Sequence, residues 1–218
     1  MSVKLHQIVV AEDHPMFRER LAQLISSQPD LALCGESDNA EDAVTMIRKT
    51  DPDLAIVDLT LRGSSGLDLI KTLRALRINV PVLVLSMHDE SLYGDRVIRA
   101  GGNGYIAKHS ETSEVLTAIR KVLAGGVYLS EEASTGLDES RNALDASASN
   151  RSFAKLTDRE TEVLRLISTG KTTREIAQEL HLGIASIDTY RARIKDKVGL
   201  RNGIELQRYA MRCFSDHE

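Results

Sequence analysis

The chain has no tryptophan among its 218 residues and only two cysteines, Cys34 and Cys213, far apart and without metal-ligand spacing. That excludes a disulfide framework and a cysteine metal site, and fits reduced thiols in the cytosol. No apolar run approaches the roughly 20 residues that a membrane-spanning helix needs, so no membrane partner is expected. The opening residues, Met1 to His6, lack the long apolar core of a secretory signal. A cytoplasmic protein is therefore expected, and the sequon Asn150-Arg151-Ser152 then means nothing.

The remaining composition is that of a globular protein, 42% hydrophobic and 28% charged. The length suits one large domain or two ordinary ones. A net charge of −4 hides an asymmetry: residues 1–150 carry −7 and residues 151–218 carry +3. An acidic part joined to a basic part suggests two domains with different partners, nucleic acid being the candidate for the second.

Residues 1–127 alternate between strand and helix. Apolar runs occur at 7–11, 31–35, 53–58, 81–85 and 104–107, and helical spacing at 14–27, 40–48, 66–76, 90–99 and 112–123. In the first helix the apolar stripe is read as Met16, Leu21, Leu24 and Ile25. Five alternations predict an α/β fold with a parallel sheet and helices on both faces. Successive strand ends then share one edge, which would hold Glu12, Asp13, Asp58, Ser86 and Lys108. Open sheets of this kind place ligand chemistry at that edge. A single strand-end aspartate often only caps a turn. Three carboxylates in close quarters, however, invite a hard divalent cation such as Mg²⁺. A phosphoryl group on Asp58 would be neutralised by that ion, the Lys108 ammonium and the Ser86 hydroxyl.

The order Glu12-Asp13, Asp58, Ser86, Lys108 resembles the receiver domain of two-component response regulators of the NarL/FixJ type. The resemblance implies a doubly wound five-stranded sheet of flavodoxin-like order and Asp58 as the phosphoacceptor for a sensor histidine kinase. It implies Mg²⁺ on Glu12, Asp13, Asp58 and the Thr60 carbonyl, and Ser86 with Tyr105 as a switch pair. Without it, Tyr105 reads as ordinary core packing. Two departures stand out. Leu61-Arg62-Gly63 replaces the usual Met-Pro-Gly, which should loosen that loop. His109 replaces the proline after the lysine. A cis bond there would cost about 2.5–4 kcal/mol, so a trans peptide or local strain is expected. Thr60 and His88 stand where the family tunes phosphoryl lifetime, although a solvated loop residue is the plainer reading of His88.

Residues 128–150 form the expected linker, poor in apolar side chains beyond Ser130. Residues 151–218 read as a small all-α domain. Thr157 with Glu160 and Thr172 with Glu175 have capping-box spacing. A short helix, a turn at His181-Leu182-Gly183 and a basic helix over 186–198 make a helix-turn-helix. A charged helix face alone is usually only a solvated surface. Leu156-Thr157-x-Arg159-Glu160-x-Glu162-Val163-Leu164, Gly170-Lys171, Glu175-Ile176-Ala177 and Asn202 resemble the LuxR-type DNA-binding domain. That resemblance implies base contacts from Asp188, Thr189 and Ala192 with Arg191 and Arg193 nearby. It also implies phosphate contacts from Lys171, Thr172, Thr173, Ser186 and Lys197. Asp188 stands where relatives often have lysine, and Gly183 where a Ser or Thr cap is common. The last helix, 204–213, offers the stripe Leu206, Tyr209, Ala210 and Cys213 as core or as a dimer contact.

The function so implied is a DNA-binding regulator. Phosphorylation would switch it to a homodimer on double-stranded promoter DNA, with RNA polymerase as a further partner. The alternative is a DNA-binding regulator whose receiver answers to a partner protein and not to phosphate. An aspartate-based phosphatase, the enzyme reading, usually has a second aspartate where Thr60 stands. A phosphate-binding P-loop at Gly170-Lys171-Thr172 fails, because its first glycine would fall at Arg165 inside a helix.

Overall fold

In the computed structural model, which describes residues 4–62, 64–87, 90–130 and 156–214, the apolar runs of the first part become strands. They are β1 (His6–Ala11), β2 (Leu31–Ser37), β3 (Leu54–Val57), β6 (Val82–Ser86) and β7 (Gly104–Ala107), paired in parallel in the order β2-β1-β3-β6-β7. Two further strands, β4 (Thr60–Leu61) and β5 (Ser64–Ser65), form a separate antiparallel hairpin. Helices α1 (Pro15–Ser26), α2 (Ala40–Thr50), α3 (Gly66–Ala75), α4 (Glu90–Arg99) and α5 (Thr112–Leu123) connect the strands.

Alternation along the strands explains why each run is apolar throughout. Val9, Ala11, Ala55, Val57, Val82, Val84 and Tyr105 enter one core with α2, α3 and α4 residues. Ile8, Val10, Leu54, Ile56, Leu83, Leu85 and Ile106 enter the other with α1 and α5 residues. Both faces of the sheet are covered, so the central strands are apolar through their middles and polar side chains such as Gln7 and Ser86 stand only at their ends.

One expectation is corrected. Met16 is not part of the α1 stripe: it is 86% exposed, while Leu21 and Ile25 are buried. At 100° per residue Met16 stands roughly 140° around the helix from Leu21. The loop after Asp58 carries its own pairing. Thr60 pairs with Ser65 and Leu61 with Ser64 in the hairpin, Leu61 is buried, and Arg62 reaches Asp38 at 3.5 Å. Gly63 lies outside the described residues.

Beyond α5 the chain continues as an extra edge to the sheet. The Tyr105 N–H donates to the Tyr128 carbonyl at 2.9 Å, and the Tyr128 N–H to the Asn103 carbonyl at 3.0 Å. The Tyr128 hydroxyl reaches Glu114 at 3.1 Å, and the Ser130 N–H reaches Glu90 at 2.8 Å. The rest of the expected linker, 131–150, lies outside the described residues.

A second compact unit holds α6 (Asp158–Ser168), α7 (Thr173–Glu179), α8 (Ile184–Val198) and α9 (Gly203–Phe214). Both capping boxes form, Thr157 with Glu160 and Thr172 with Glu175. Such caps are worth about 1 kcal/mol each. The turn between α7 and α8 places His181 in the left-handed region at φ 51°. Gly183 is the N-cap of α8 and has no side chain to close it. Val163, Leu164, Ile167, Ile176, Ile187, Ile194, Leu206, Tyr209 and Ala210 form the core. The α9 stripe is therefore interior, with Cys213 packed against it, and the dimer-contact reading of that stripe is withdrawn.

Candidate phosphoryl-acceptor site and nucleic-acid interface

The carboxyl edge of the sheet brings the expected charges together. Glu12 directly follows β1, Asp58 follows β3 and Lys108 follows β7. Backbone bonds fix their level: Glu12 N–H to the Ser37 carbonyl at 2.9 Å, Asp58 N–H to the Ala11 carbonyl at 2.9 Å, and Lys108 N–H to the Ser86 carbonyl at 2.7 Å. Lys108 Nζ lies 2.6 Å from Glu12 Oε2 and 2.9 Å from Asp58 Oδ2, and all three side chains are buried. The N-terminus of α3 closes the floor. Gly66 comes so near that a Cβ there would sit 2.2 Å from the Asp58 carbonyl oxygen.

One ammonium faces a surplus of carboxylate. Burial and the neighbouring Glu12 hold the Asp58 carboxyl above its ordinary range, against the pull of Lys108 and a bond from the Thr60 N–H. For Lys108, burial acts to lower the ammonium, but Asp58 and Glu12 outweigh it and the net shift is upward. Lys108 thus stays cationic between two carboxylates, with Asp13 beside them. The Asp13 side chain is only 7% exposed, and its Oδ1 accepts no hydrogen bond. Donor atoms of Glu12, Asp13, His14 and Asp58 fit within 4.8 Å of one another. A buried, unsatisfied carboxylate oxygen in an acidic cluster suits a hard divalent cation, so these residues fit Mg²⁺.

Ser86 ends β6 on the same edge, and its hydroxyl is hydrogen-bonded to the Tyr105 hydroxyl. Tyr105 is fully buried, and burial pushes its phenol far up. No cis peptide occurs among the described residues, so Lys108–His109 is trans. His88 lies outside the described residues.

Four residues of this edge were not singled out from the sequence. They are His14, whose Nδ1 lies between Glu12 and Asp13, Phe17, Arg18 and Gly66. The Lys108 ammonium stands 4.7 Å over the Phe17 ring, and Arg18 Nη1 donates to the Glu12 carbonyl at 2.7 Å. Phe17 and Arg18 follow His14 by one helical turn, which is the signal that could have found them.

In the second unit, α8 buries Ile187 and Ile194 and exposes Ser186, Asp188, Thr189, Ala192 and Arg193, with Arg191 half-buried. Ala185 and Ile184 extend that exposed face. Two of the expected phosphate contacts are already engaged. Lys197 Nζ lies 2.7 Å from the buried Glu160, and Lys171 is paired with Glu179. The Thr172 hydroxyl serves the α7 cap, and Thr173 opens that helix half-buried. Deeper in, Arg159 bonds Glu162 at 2.5 Å and the Leu180 carbonyl at 3.2 Å, which ties α6 to the end of α7.

A five-stranded parallel sheet with an acidic carboxyl edge, followed by a helix-turn-helix unit, defines the class: a receiver module with a DNA-binding module. Comparison with known proteins gives the family. Residues 8–120 match the response regulator receiver domain, and residues 154–210 match the bacterial regulatory proteins of the luxR family. The chain belongs to the response regulators with a LuxR-type DNA-binding domain. It is 32% identical over 208 residues to a putative transcriptional regulator of Pseudomonas aeruginosa, covering 95% of this chain and 98% of that protein. It is 32% identical over 198 residues to the transcriptional regulatory protein DesR of Bacillus subtilis, covering 91% and 92%. Among solved structures, a LuxR-family two-component response regulator from Aurantimonas matches with a TM-score of 0.60 at 31% identity, covering 64% of this chain and all of that one. Salmonella enterica RcsB bound to promoter rprA with the phosphomimetic BeF3- matches in fold, with a TM-score of 0.63 at 22% identity, covering 95% and 99%.

Proposed function

We propose that Asp58 accepts a phosphoryl group from the phosphohistidine of a sensor histidine kinase, and that this controls transcription through the second unit. The observation that carries this reading is the buried Asp58–Lys108–Glu12 triad at 2.9 and 2.6 Å beside an unsatisfied Asp13 oxygen. An Asp58 oxygen attacks phosphorus in line. The P–N bond to the kinase imidazole breaks, and its electron pair stays on the imidazole. The product is an acyl phosphate. Glu12, Asp13, Asp58 and the Thr60 carbonyl would hold Mg²⁺, which supplies charge neutralisation at the phosphoryl oxygens. Lys108 neutralises a second oxygen without leaving its place, and the Ser86 hydroxyl takes a third, drawing on its present bond with Tyr105. In this reading the chain is a regulator and not a turnover enzyme.

The α8 face, with Asp188, Thr189 and Ala192 toward base edges and Arg191 and Arg193 beside them, would enter the major groove of promoter DNA. Lys171, Thr172, Thr173, Ser186 and Lys197 would hold the phosphates. A homodimer on paired half-sites, RNA polymerase as a downstream partner, a cytoplasmic location and boundaries near 127 and 151 complete the proposal. Intact mass with acetyl phosphate and Mg²⁺ tests it. One phosphoryl adduct is expected, absent from Asp58→Ala, with tighter promoter binding in the phosphorylated form. Equal promoter affinity in both states would refute the phospho-switch.

One observation favours a second reading. Tyr105 is fully buried and bonded to Ser86, so its ring occupies the inward position. A receiver held in that arrangement would act through a partner protein. DNA binding unchanged by Asp58→Ala would favour it.

A further inference from the structure

The acidic edge contains a nitrogen donor that the receiver resemblance does not call for. His14 Nδ1 lies 3.2 Å from Glu12 Oε1 and 2.9 Å from Asp13 Oδ1. We propose that His14 Nδ1 is a direct ligand of the cation at this site, so that the pocket takes first-row transition ions through mixed nitrogen and oxygen ligation, and prefers them to Mg²⁺. This rests on the reading of the pocket as the cation site of the receiver.

Four observations carry it. Neighbouring ligands of an octahedral ion with bonds near 2.1 Å stand about 3.0 Å apart, and the two His14 distances fit such edges. The Asp13 oxygen facing His14 accepts no hydrogen bond, and the one hydrogen-bond contact of Nδ1 with these carboxylates, to Glu12 Oε1 at 3.2 Å, depends on the tautomer and is replaced when Nδ1 binds a cation. Lys108 takes Oε2 of Glu12 and Oδ2 of Asp58, which leaves Glu12 Oε1 on the His14 side. The His14 ring is 69% exposed, which fits Nε2 keeping its hydrogen toward water while Nδ1 turns to the carboxylates.

Charge favours a neutral fourth donor. Glu12, Asp13 and Asp58 carry three negative charges against the one positive charge of Lys108. An imidazole adds a ligand without adding charge, so a divalent ion brings the cluster to neutrality. Mg²⁺ prefers oxygen and keeps its waters, whereas imidazole suits the later first-row ions. Position is also fixed. The His14 N–H donates to Glu12 Oε1 at 3.0 Å, and Pro15 starts α1 at the next residue.

The test uses the full chain with Mn²⁺ as a paramagnetic probe, and Co²⁺ and Mg²⁺ in calorimetry. Pulsed electron paramagnetic resonance of bound Mn²⁺ should show ¹⁴N coupling that disappears in His14→Ala. His14 is exposed, so this variant should fold. His14→Ala should weaken Co²⁺ by about 10- to 100-fold, the range known for losing groups around a metal. Mg²⁺ affinity should change less than about twofold, because Mg²⁺ is bound through oxygen. Bound Mn²⁺ without ¹⁴N coupling, coupling that survives His14→Ala, or equal losses for Co²⁺ and Mg²⁺ would each overturn the ligation. A different result separates the underlying reading. If neither Mn²⁺ nor Mg²⁺ binds, or if binding survives Glu12→Gln combined with Asp13→Asn, the cation site itself is refuted and the inference falls with it.

Discussion

Both units bury charged side chains, but they balance them differently. In the second unit Arg159 meets Glu162 at 2.5 Å and Glu160 meets Lys197 at 2.7 Å, with the Thr157 N–H donating to the same Glu160 Oε2. Arg159, Glu160 and Glu162, the buried charged residues among those described there, each have a partner of opposite sign, and among their buried side-chain polar atoms only the Nε of the half-buried Arg165 lacks a hydrogen bond. At the carboxyl edge of the sheet, Glu12 and Asp58 share Lys108, and Asp13 stands in the same cluster. Paired burial fixes geometry. Surplus burial leaves a demand for positive charge that a cation or a chemical change at Asp58 can answer.

The sharpest way to break this comparison is to unpair one of the matched charges. Arg159→Ala leaves Glu162 buried without its guanidinium and frees the Leu180 carbonyl. Loss of one partner from a buried pair costs about 3–5 kcal/mol. Urea unfolding followed by circular dichroism should show the second unit losing that much while the first is unchanged. A loss under about 1 kcal/mol would mean that the pair behaves like a surface ion pair.

The next effect has the opposite sign. Asp58 has a folded value raised above its ordinary 3.8. As pH rises from there, the unfolded chain gives up this proton first, so the group's contribution to stability falls with pH until the folded carboxyl has also ionised. Asp58→Asn should therefore stabilise the first unit near neutral pH, by about 2 kcal/mol, with the gain vanishing toward pH 4. Glu160 should show the reverse. Burial works to raise it, but the bonds from Lys197 and Thr157 leave it lowered, so its contribution is present above 4.5 and is lost as pH falls through the folded value. Stability of both variants against pH, Asp58→Asn and Glu160→Gln, checks the two slopes. Slopes of the same sign would erase the distinction between the units.

The smallest effect concerns the open cap of α8. Gly183→Ser should add a few tenths of a kcal/mol by supplying the missing side-chain acceptor. Thermal unfolding reads this, and a destabilising result would place the Gly183 backbone outside what serine accepts.

The sheet and its edge were legible because burial on both faces demands uninterrupted apolar runs, and the runs stop where the charged residues begin. Both capping boxes were legible because their chemistry is local, three residues apart. Other features were not. Met16 was assigned to the core on residue type, although its angular position excludes it. The β4–β5 hairpin spans too few residues to carry a period. The tie of Lys197 to Glu160 crosses 37 positions, which spacing cannot connect. His14 follows the acidic pair with no ligand spacing of its own, and only the distances place its nitrogen between the carboxylates.

The extra edge at Tyr128 has a mechanical consequence. The chain leaves β7's side through two backbone bonds that run in parallel register, to Tyr105 and Asn103, and is then clipped to Glu90. A pull along such a pairing shears the bonds together and does not peel them one by one. Tension along the chain at Ser130 would therefore fall first on the bond to Glu90, and then on the two bonds of Tyr128, one of them to the peptide of Tyr105, the residue whose hydroxyl is bonded to Ser86.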